Sequence, residues 1–321
     1  MAQKNAALMK KTTIGGQALI EGVMMRGPER TAMAVRHVSG EIRMESWDTP
    51  ISKRPAITKW PLIRGLFTYI DSLRYGYKCL MRSVELSGLE EEMQEAAMEE
   101  GASAEKAEKT TGRLMKLITI LGVVLGVGLS LVLFMWLPIQ LFTWLKMAVP
   151  SLDNPYIRGF FEGGLRILIF LVYMFLVSRM KDIRRTFQYH GAEHKTIFCY
   201  EKGLPLTVEN VREQSRFHPR CGTSFLILML LVGVLISIFI RVDQVLLRTA
   251  IKLLLLPLTV GFGYELIKLA GRKDNRFTRF ISAPGVWMQH LTTIEPDDSM
   301  IECAISAMQE VIPTDPEADK W

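Results

Sequence analysis

Residues 117–145 read LITILGVVLGVGLSLVLFMWLPIQLFTWL, and this run contains no charged side chain. Lys116 and Lys146 flank it, as basic residues often flank a helix that spans a membrane. A straight crossing needs about 20 apolar residues, so the run is long enough to cross with tilt even if Pro138 kinks the helix. The run therefore predicts a transmembrane helix.

The composition of the whole chain points to the same class of protein. The 321 residues are 49% hydrophobic, with a mean hydropathy of +0.18 and a formal net charge of +6. Residues 222–240 form a second uncharged run of spanning length, and residues 167–178 and 253–264 form two shorter ones. Together these runs predict an α-helical multi-pass membrane protein with about four transmembrane helices.

The two shorter runs must recruit charged neighbours to reach spanning length. Extending the first back to residue 159 includes Glu162 and Arg166, whose spacing of four allows them to neutralise each other on one helix face. Extending the second back to residue 245 includes Arg248 and Lys252, which can snorkel to the interface. We therefore expect buried or interfacial charge in both helices.

Basic residues are concentrated between residues 179 and 220 and again after residue 264. The positive-inside rule then places both termini and the segment 179–221 in the cytoplasm. Anionic lipid explains the basic excess, so the expected partner is the lipid bilayer and no nucleic acid is required. Residues 1–13 lack a secretory signal, and the four cysteines are expected to be thiols in a reducing compartment.

The polar segments divide the chain into further parts. Residues 31–38 and 41–47 favour extended structure and are joined by Ser39-Gly40, which predicts a β-hairpin. The predicted parts are a β-containing cytoplasmic module (14–57), an amphipathic helix that lies at the membrane interface or packs on that module (58–86), an acidic linker (87–113), a four-helix transmembrane region with a His-bearing loop at 179–221 (114–281), and a cytoplasmic helical tail (282–321).

The tail contains an amphipathic stretch, residues 300–311. Its apolar stripe, Ile301, Ala304, Ile305 and Met308, has the spacing of one helix face. We expect this stripe to dock on the cytoplasmic part of the protein.

The motif His190-Gly-Ala-Glu193-His194 is the clearest chemical signal in the chain. On a helix, His190 and His194 lie on one face and can hold one divalent ion, zinc or another metal, while Glu193 polarises a bound water as the catalytic base. This is the H-x-x-E-H order of inverted zinc proteases. Alternatively, the two histidines stabilise a polar loop and Glu193 pairs with Lys195 or an arginine.

A metal site needs further ligands, and we expect His218 and Glu265 to complete it with His190 and His194. Cys221, His290 and Glu295 are also available near the cytoplasmic ends of the predicted helices. Glu265 has an alternative role as the ion-pair partner of an arginine such as Arg184 or Arg220. Cys221 and His218 can also be considered as nucleophile and base, but Pro219 between them argues against a regular helix there.

Geometry raises an objection to this set of ligands. If the helix that ends near Ser178 continued straight, His190 would lie about 18 Å beyond it, at 1.5 Å per residue. Cys221 and Glu265 are expected near the interface instead. The site therefore requires the helix to bend, to tilt strongly or to dip back between Ser178 and His190.

Several motifs in the chain resemble those of the YqhQ-like bacterial membrane proteins. The matching stretches are GGQALIEGVMMRGP (15–28), YHGAEHK (189–195), FHPRCGTSF (217–225), GYEL (263–266) and LTTIEPDD (291–298). This family is a domain of unknown function that is sometimes described as metal-dependent. The resemblance implies a multi-pass protein of the bacterial cell membrane.

Two functions follow from these features as competing expectations. The first is a metal-dependent membrane enzyme, hydrolase-like, with its site at the cytoplasmic membrane face. The second is a non-enzymatic scaffold or accessory factor in membrane-protein biogenesis, translocation or quality control, with a translocon, a membrane protease or a second copy of the chain as partner. A transporter fits less well, because residues 117–145 and 222–240 offer almost no polar side chain to line a pathway.

Overall fold

The computed structural model describes residues 11–49, 55–89, 91, 104–272, 275–315 and 317–319. Residues 90 and 92–103 of the predicted acidic linker lie outside these described residues, and the last ten residues of the linker belong to a helix. The α-helices of the described residues are α1 (Ile63–Ser87), α2 (Ala104–Leu131), α3 (Leu137–Ala148), α4 (Pro155–Val177), α5 (Lys181–Glu201), α6 (Val208–Arg212), α7 (Gly222–Ile238), α8 (Val245–Leu254), α9 (Leu256–Arg272), α10 (Arg276–Thr292) and α11 (Asp298–Val311).

Four antiparallel strands form one sheet in chain order. The strands are β1 (Gly15–Leu19), β2 (Gly22–Arg26), β3 (Arg30–Arg36) and β4 (Ile42–Asp48). Gly40 has a φ of +89° in the turn between β3 and β4, a conformation that glycine adopts without steric cost. The hairpin predicted around Ser39-Gly40 is therefore confirmed.

The sheet is covered by helices on both faces, because successive side chains of a strand point to opposite sides. In β2, Val23 and Met25 pack into a core with α5 and α11, whereas Met24 between them packs towards α1. The stripe of α11 predicted to dock is buried in the first core: Ile301, Ala304, Ile305 and Met308. The sheet thus joins the N-terminal part of the chain to helices from its centre and its end.

Helix α1 packs against the sheet and against α9. Cys79 is buried beneath the sheet, and nearer the start of the helix a Cβ on Gly65 would lie 2.7 Å from the Cβ of Tyr264. This arrangement agrees with the second of the two expectations for residues 58–86, a helix packed on the β module.

Two described helices are long and apolar enough to cross a membrane, judged by length and composition. They are Leu117–Ala148, 32 residues that include the end of α2 and all of α3, and Pro155–Val177, which is α4. Helices α8 and α9 meet at an angle of 45° and make a third crossing if the bent pair is counted as one. Helix α7 is apolar but has only 17 residues. The count by these criteria is two or three, below the four expected.

The first of these helices is interrupted where the sequence predicted a kink. A π-helical turn, Val132–Trp136, joins α2 to α3, and Pro138 lies in the first turn of α3. A proline lacks the N–H that would continue the hydrogen-bond ladder of an α-helix. The irregular turn therefore falls in the residues just ahead of the proline.

The segment 179–221, predicted as a loop that bears histidines, is mostly helical. Helix α4 ends at Val177 and α5 begins at Lys181, with Met180 in extended conformation between them. This break supplies the bend that the expected metal site required. The helical tail also begins earlier than residue 282, because α10 starts at Arg276.

Candidate metal centre

Helix α5 carries the predicted motif on a face that is held close to the chain after α10. Gly191 is essential to this approach, because a Cβ there would lie 2.1 Å from the carbonyl oxygen of Ile294. The Ile294 N–H also donates to the carbonyl of Phe187, at 2.9 Å. The glycine inside HGAEH therefore allows the histidine face of α5 to meet the end of α10.

The two imidazoles of the motif lie side by side. The ring centroids of His190 and His194 are 4.4 Å apart, as expected for residues one helical turn apart. His190 Nδ1 bonds to the carbonyl of Thr292 at 2.8 Å, and His194 Nδ1 bonds to the carbonyl of Arg216 at 2.5 Å. A carbonyl accepts only from a protonated ring nitrogen, so both rings carry a proton on Nδ1 and leave Nε2 as the nitrogen that a metal could bind.

Cys221 brings a thiol to these two nitrogens. His190 Nε2 lies 3.2 Å from the Cys221 Sγ, and ligand atoms of His190, His194 and Cys221 all lie within 4.8 Å of one another. The His194 Nε2 is buried and has no hydrogen-bond partner among the residues that the structure describes. A buried polar atom without a partner is costly, so this nitrogen is a candidate position for a ligand.

Cys221 is also the N-cap residue of α7, and its Sγ accepts a hydrogen bond from Thr223 N–H at 3.4 Å. Burial alone would raise the pKa of the thiol, but His190 and His194 outweigh burial and hold the pKa well below its usual range. Burial lowers the pKa of His190, whereas the Cys221 thiolate raises it to about 9. The thiolate is the form that binds metals.

Glu193 lies beside the cluster, against the start of β1. A Cβ on Gly16 would lie 2.8 Å from the Glu193 Cδ, so only glycine fits there without a shift of the carboxylate. Burial raises the pKa of Glu193, although His190 and His194 oppose the shift. A cavity of about 110 Å³ opens next to this carboxylate, with residues 12–16 as one wall and His194 and Cys221 on the other side.

His218, predicted as a ligand, borders the same cavity but packs against His194 and lies outside the cluster of His190, His194 and Cys221. Its ring centroid lies 5.6 Å from that of His194, and its Nε2 is 3.6 Å from Glu201 Oε2. Its backbone N–H donates to the side chain of Gln289 at 2.7 Å. Burial lowers the pKa of His218 even though Glu201 acts in the opposite direction.

Glu201 and Arg220 hold the cavity wall in place. Glu201 pairs with Arg220 and accepts from Thr12 N–H at 2.9 Å, while Arg220 Nη1 donates to the Thr12 carbonyl at 3.0 Å. Burial would raise the pKa of Glu201, but hydrogen bonds from His218 and Arg220 lower it. The Glu201–Arg220 pair therefore fixes the backbone of Thr12, which lines the cavity.

Glu265, the other predicted ligand, is placed elsewhere. Its Oε1 accepts from Arg64 Nε at 2.7 Å and from the Leu62 N–H at 3.3 Å, so it joins α9 to the start of α1. This is the ion-pair role considered for it, with Arg64 as the partner in place of Arg184 or Arg220.

The remaining candidates also lie outside the cluster. Glu295 pairs with Lys195, so Lys195 is not the partner of Glu193. His290 is exposed and lies against Phe217, with ring centroids 4.5 Å apart. Of the predicted residues, His190, Glu193 and His194 thus form the centre, and Cys221 takes the position expected for His218 or Glu265.

The cluster has the donor set of a soft or borderline divalent metal. Imidazole and thiolate together suit zinc, and a set of three protein ligands leaves a fourth position for water or substrate. The backbone carbonyls of Thr292 and Arg216 orient the rings in the way that outer-shell groups do at known zinc sites. His190, His194 and Cys221 are therefore the residues that could hold an ion, with Glu193 next to the open position.

The chain is thus a mostly helical protein with a small antiparallel sheet, two or three helices apolar and long enough to cross a membrane, and a candidate metal centre of two histidines and a cysteine. The chain belongs to the family described as "Protein of unknown function (DUF1385)", whose model matches residues 60–314. It is 34% identical over 303 residues to the "Uncharacterized protein YqhQ" of Bacillus subtilis (strain 168), covering 93% of this chain and 92% of that protein. No solved structure matches the chain.

Proposed function

We propose that this protein is a metal-dependent, hydrolase-like membrane enzyme, with zinc as the expected ion. The proposed ligands are His190 Nε2, His194 Nε2 and Cys221 Sγ, and the proposed general base is Glu193. One observation carries the proposal: both rings have Nδ1 fixed by a backbone carbonyl, while a thiol lies beside their other nitrogens and one of these, His194 Nε2, has no partner in the described chain.

The surrounding residues suit hydrolysis. A bound zinc ion would act as a Lewis acid and make water more acidic. Glu193 lies next to the proposed ligands, and its raised pKa makes the carboxylate a stronger proton acceptor than an exposed one. The narrow cavity lined by residues 12–16 admits a small group or an extended segment of a peptide or a lipid-linked molecule.

The distance between Cys221 and His190 supports a second kind of chemistry, nucleophilic catalysis by the cysteine. Cys221 Sγ lies 3.2 Å from His190 Nε2 at the N-terminus of α7, which is the arrangement of a thiolate nucleophile and its base. Such a pair needs one imidazole, and it leaves the buried Nε2 of His194 without a role. The metal proposal accounts for all three side chains and is therefore preferred.

We also propose four crossings with the metal centre at the cytoplasmic face of the bacterial cell membrane. The sheet precedes the first span and α5 follows the second, and the two pack together, so they lie on one side. Helix α11 packs in the same core, so the chain between α5 and α11 must cross an even number of times. Helix α7 and the bent pair α8 and α9 supply these two crossings. The basic residues around α5 favour the cytoplasm for that side.

Metal analysis of the purified full chain tests the proposal. Wild-type protein from cells grown with added zinc should hold one zinc ion per chain, measured by elemental analysis. His194→Ala and Cys221→Ala should weaken zinc binding by more than the roughly 10–100-fold lost when an outer-shell partner is removed. Replacement with cobalt should give a thiolate-to-cobalt charge-transfer band in the wild-type protein that Cys221→Ala lacks.

His290→Ala is the matched control, because this histidine is exposed and outside the cluster. It should keep both the zinc and the cobalt band. Wild-type protein that binds no zinc, or His194→Ala protein that binds it as tightly as wild type, would remove the metal proposal. A zinc-free His194→Ala protein that replaces the wild type in cells would support the scaffold function instead.

A further inference from the structure

Glu162 of α4 is fully buried and meets four basic side chains. Its Oε1 lies 2.9 Å from Arg158 Nε and 3.1 Å from Arg248 Nε, and its Oε2 contacts Lys252 and lies 3.9 Å from Arg166 Nη2. All four basic residues are at least nine-tenths buried. The expectation that Glu162 and Arg166 would neutralise each other therefore describes only part of a larger charge cluster.

This charge cluster has more positive than negative groups. Asp243, which is exposed, adds a second carboxylate at 2.5 Å from Arg158 Nη1. Four cations then face two carboxylates, within helices of spanning length or next to them. A buried charge without a partner is costly, and ionisable groups inside a membrane usually mark a functional site.

One nitrogen of the Arg166 guanidinium makes no hydrogen bond to the described residues, and Glu162 Oε2 lies 3.9 Å from it. Arg166 donates from its Nε to the carbonyl of Phe134 in the π-helical turn at 2.6 Å, and from its Nη1 to Ser237 Oγ at 3.3 Å. Its Nη2 has no hydrogen-bond partner among the described residues, although the side chain is buried. One donor of the guanidinium is therefore free for a ligand.

The side chains of Arg166 and Lys252 lie in the wall of a cavity of about 250 Å³. The rest of the wall is mostly apolar and comes from the π-helical turn, α4, α7 and α9, with Phe134, Phe170, Met229 and Leu256 among its residues. A site for a small inorganic anion would need no such apolar wall. A site for an apolar molecule would not place two cations in it.

We propose that this cavity binds one amphiphile with an acyl chain and an anionic head group, a carboxylate or a phosphate. The head group is held by Arg166 and Lys252, and the chain lies along the apolar wall. The cavity is lined by residues of α7 from Leu226 onwards, but Arg166 bonds to Ser237, at the opposite end of α7 from Cys221, so the head-group site is separate from the candidate metal centre. The excess of cations over carboxylates in the cluster favours an anionic head group over a zwitterionic one.

Native mass spectrometry of the full chain in detergent tests this inference, with oleate, dioleoylphosphatidylglycerol and dioleoylphosphatidylcholine as probes. At least one of the two anionic probes should bind about tenfold more tightly than the zwitterionic one. Oleate and phosphatidylglycerol distinguish a free fatty acid from a phospholipid as the source of the head group. Equal affinity for all three probes would overturn the proposal.

Different variants test the binding of the head group and the binding of the acyl chain. Arg166→Gln and Lys252→Gln should each weaken binding of the preferred anionic probe by about tenfold. Gly233→Leu leaves the charges intact and fills the cavity, since a Cβ on Gly233 meets only Thr259 Cγ2, at 3.7 Å. It should weaken all three probes and keep the order of their affinities.

Arg241→Gln is the matched control, because Arg241 is an exposed arginine outside this cavity. It should leave binding unchanged. Loss of binding in Arg241→Gln as large as in Arg166→Gln would show a general attraction between anions and basic surface, and would overturn the proposal. Unchanged binding in Gly233→Leu would overturn it as well, and this variant decides the outcome if Arg166→Gln does not fold.

Discussion

Cys221 links the start of the apolar helix α7 to the two histidines of α5. It is the last residue before α7, and its sulfur lies beside the two histidines of α5, a helix that packs on the sheet. The Nδ1 of each histidine donates to a backbone carbonyl outside α5, that of Thr292 or that of Arg216. The geometry of the candidate centre therefore depends on four separate segments of the chain.

The role of Glu193 leads to a prediction about metal content. Glu193→Gln should leave zinc binding unchanged within about threefold, because the three proposed ligands are other residues. Activity towards a hydrolysable substrate should fall by about 10²–10⁴-fold in the same variant, as expected when a general base is lost. Elemental analysis and an activity assay on the same sample check both parts. Zinc loss equal to that of Cys221→Ala would make Glu193 a ligand.

Glu201 gives a pH dependence with a definite sign. Its pKa is lowered in the folded protein, so the stability that it contributes is present above the unfolded value of about 4.3 and is lost as the pH falls through the folded value. Glu201→Gln should lower the Tm by about 5 °C at pH 7. The difference in Tm from wild type should shrink below pH of about 4. A difference that is constant with pH would contradict this origin.

Some site residues could be predicted from the sequence because their spacing carries the information. His190, Glu193 and His194 lie within one helical turn, so any helix brings them together. Cys221 lies 27 residues after His194, and no periodicity links the two. The available signal was its place directly before an apolar run, where the N-terminus of a helix stabilises a thiolate. Glu265 was misplaced because a carboxylate near a helix end suits an arginine as well as a metal.

Among the helices, the packing of α4 on α7 depends on small residues. A Cβ on Gly159 would lie 2.9 Å from Ile238 Cα, and one on Gly163 would lie 2.5 Å from Val234 Cγ1. The partner residue moves back along α7 as the glycine moves forward along α4, so the helices are antiparallel. Small residues let helix backbones approach closely in a membrane, where packing drives association.

Two adjacent glycines test this contact. Gly163→Leu should lower the Tm of the purified protein by several degrees, because overpacking costs about 1–3 kcal/mol or more. Gly164→Leu is the control, since a Cβ on Gly164 meets no atom within 4 Å. Thermal denaturation in the same detergent compares the two. Equal effects of both substitutions would mean that α4 does not pack on α7 through Gly163.

The sequence predicted the elements whose signals are local. The hairpin follows from Ser39-Gly40 between two extended runs, and the docking face of α11 follows from its apolar spacing. The break after Val177 could not be read from the sequence, because residues 178–181 contain neither glycine nor proline. It arises from tertiary packing, which draws α5 onto β1 and β2.

At the scale of the whole molecule, the sheet, α5 and α11 share one core and must therefore lie on the same side of a membrane. This gives a prediction about the topology of the chain. Ser151→Cys and Gln244→Cys lie in the short connections after α3 and before α8, and should react with a membrane-impermeant maleimide in intact cells. Gln309→Cys, on the exposed face of α11, should react only after the cells are opened. The unmodified protein, whose four cysteines are buried, is the control. Labelling of Gln309→Cys in intact cells would reverse the proposed orientation.

Asp319, far along the chain, stabilises the segment 12–16 that lines the cavity next to Glu193. Asp319 bonds to the side chain of Thr12 and accepts from Thr13 N–H at 3.0 Å, and Tyr200 Oη donates to it at 2.8 Å. A ribosome adds residue 319 about three hundred residues after residue 12. This wall of the pocket can therefore be completed only after all the helices between these residues have been synthesised.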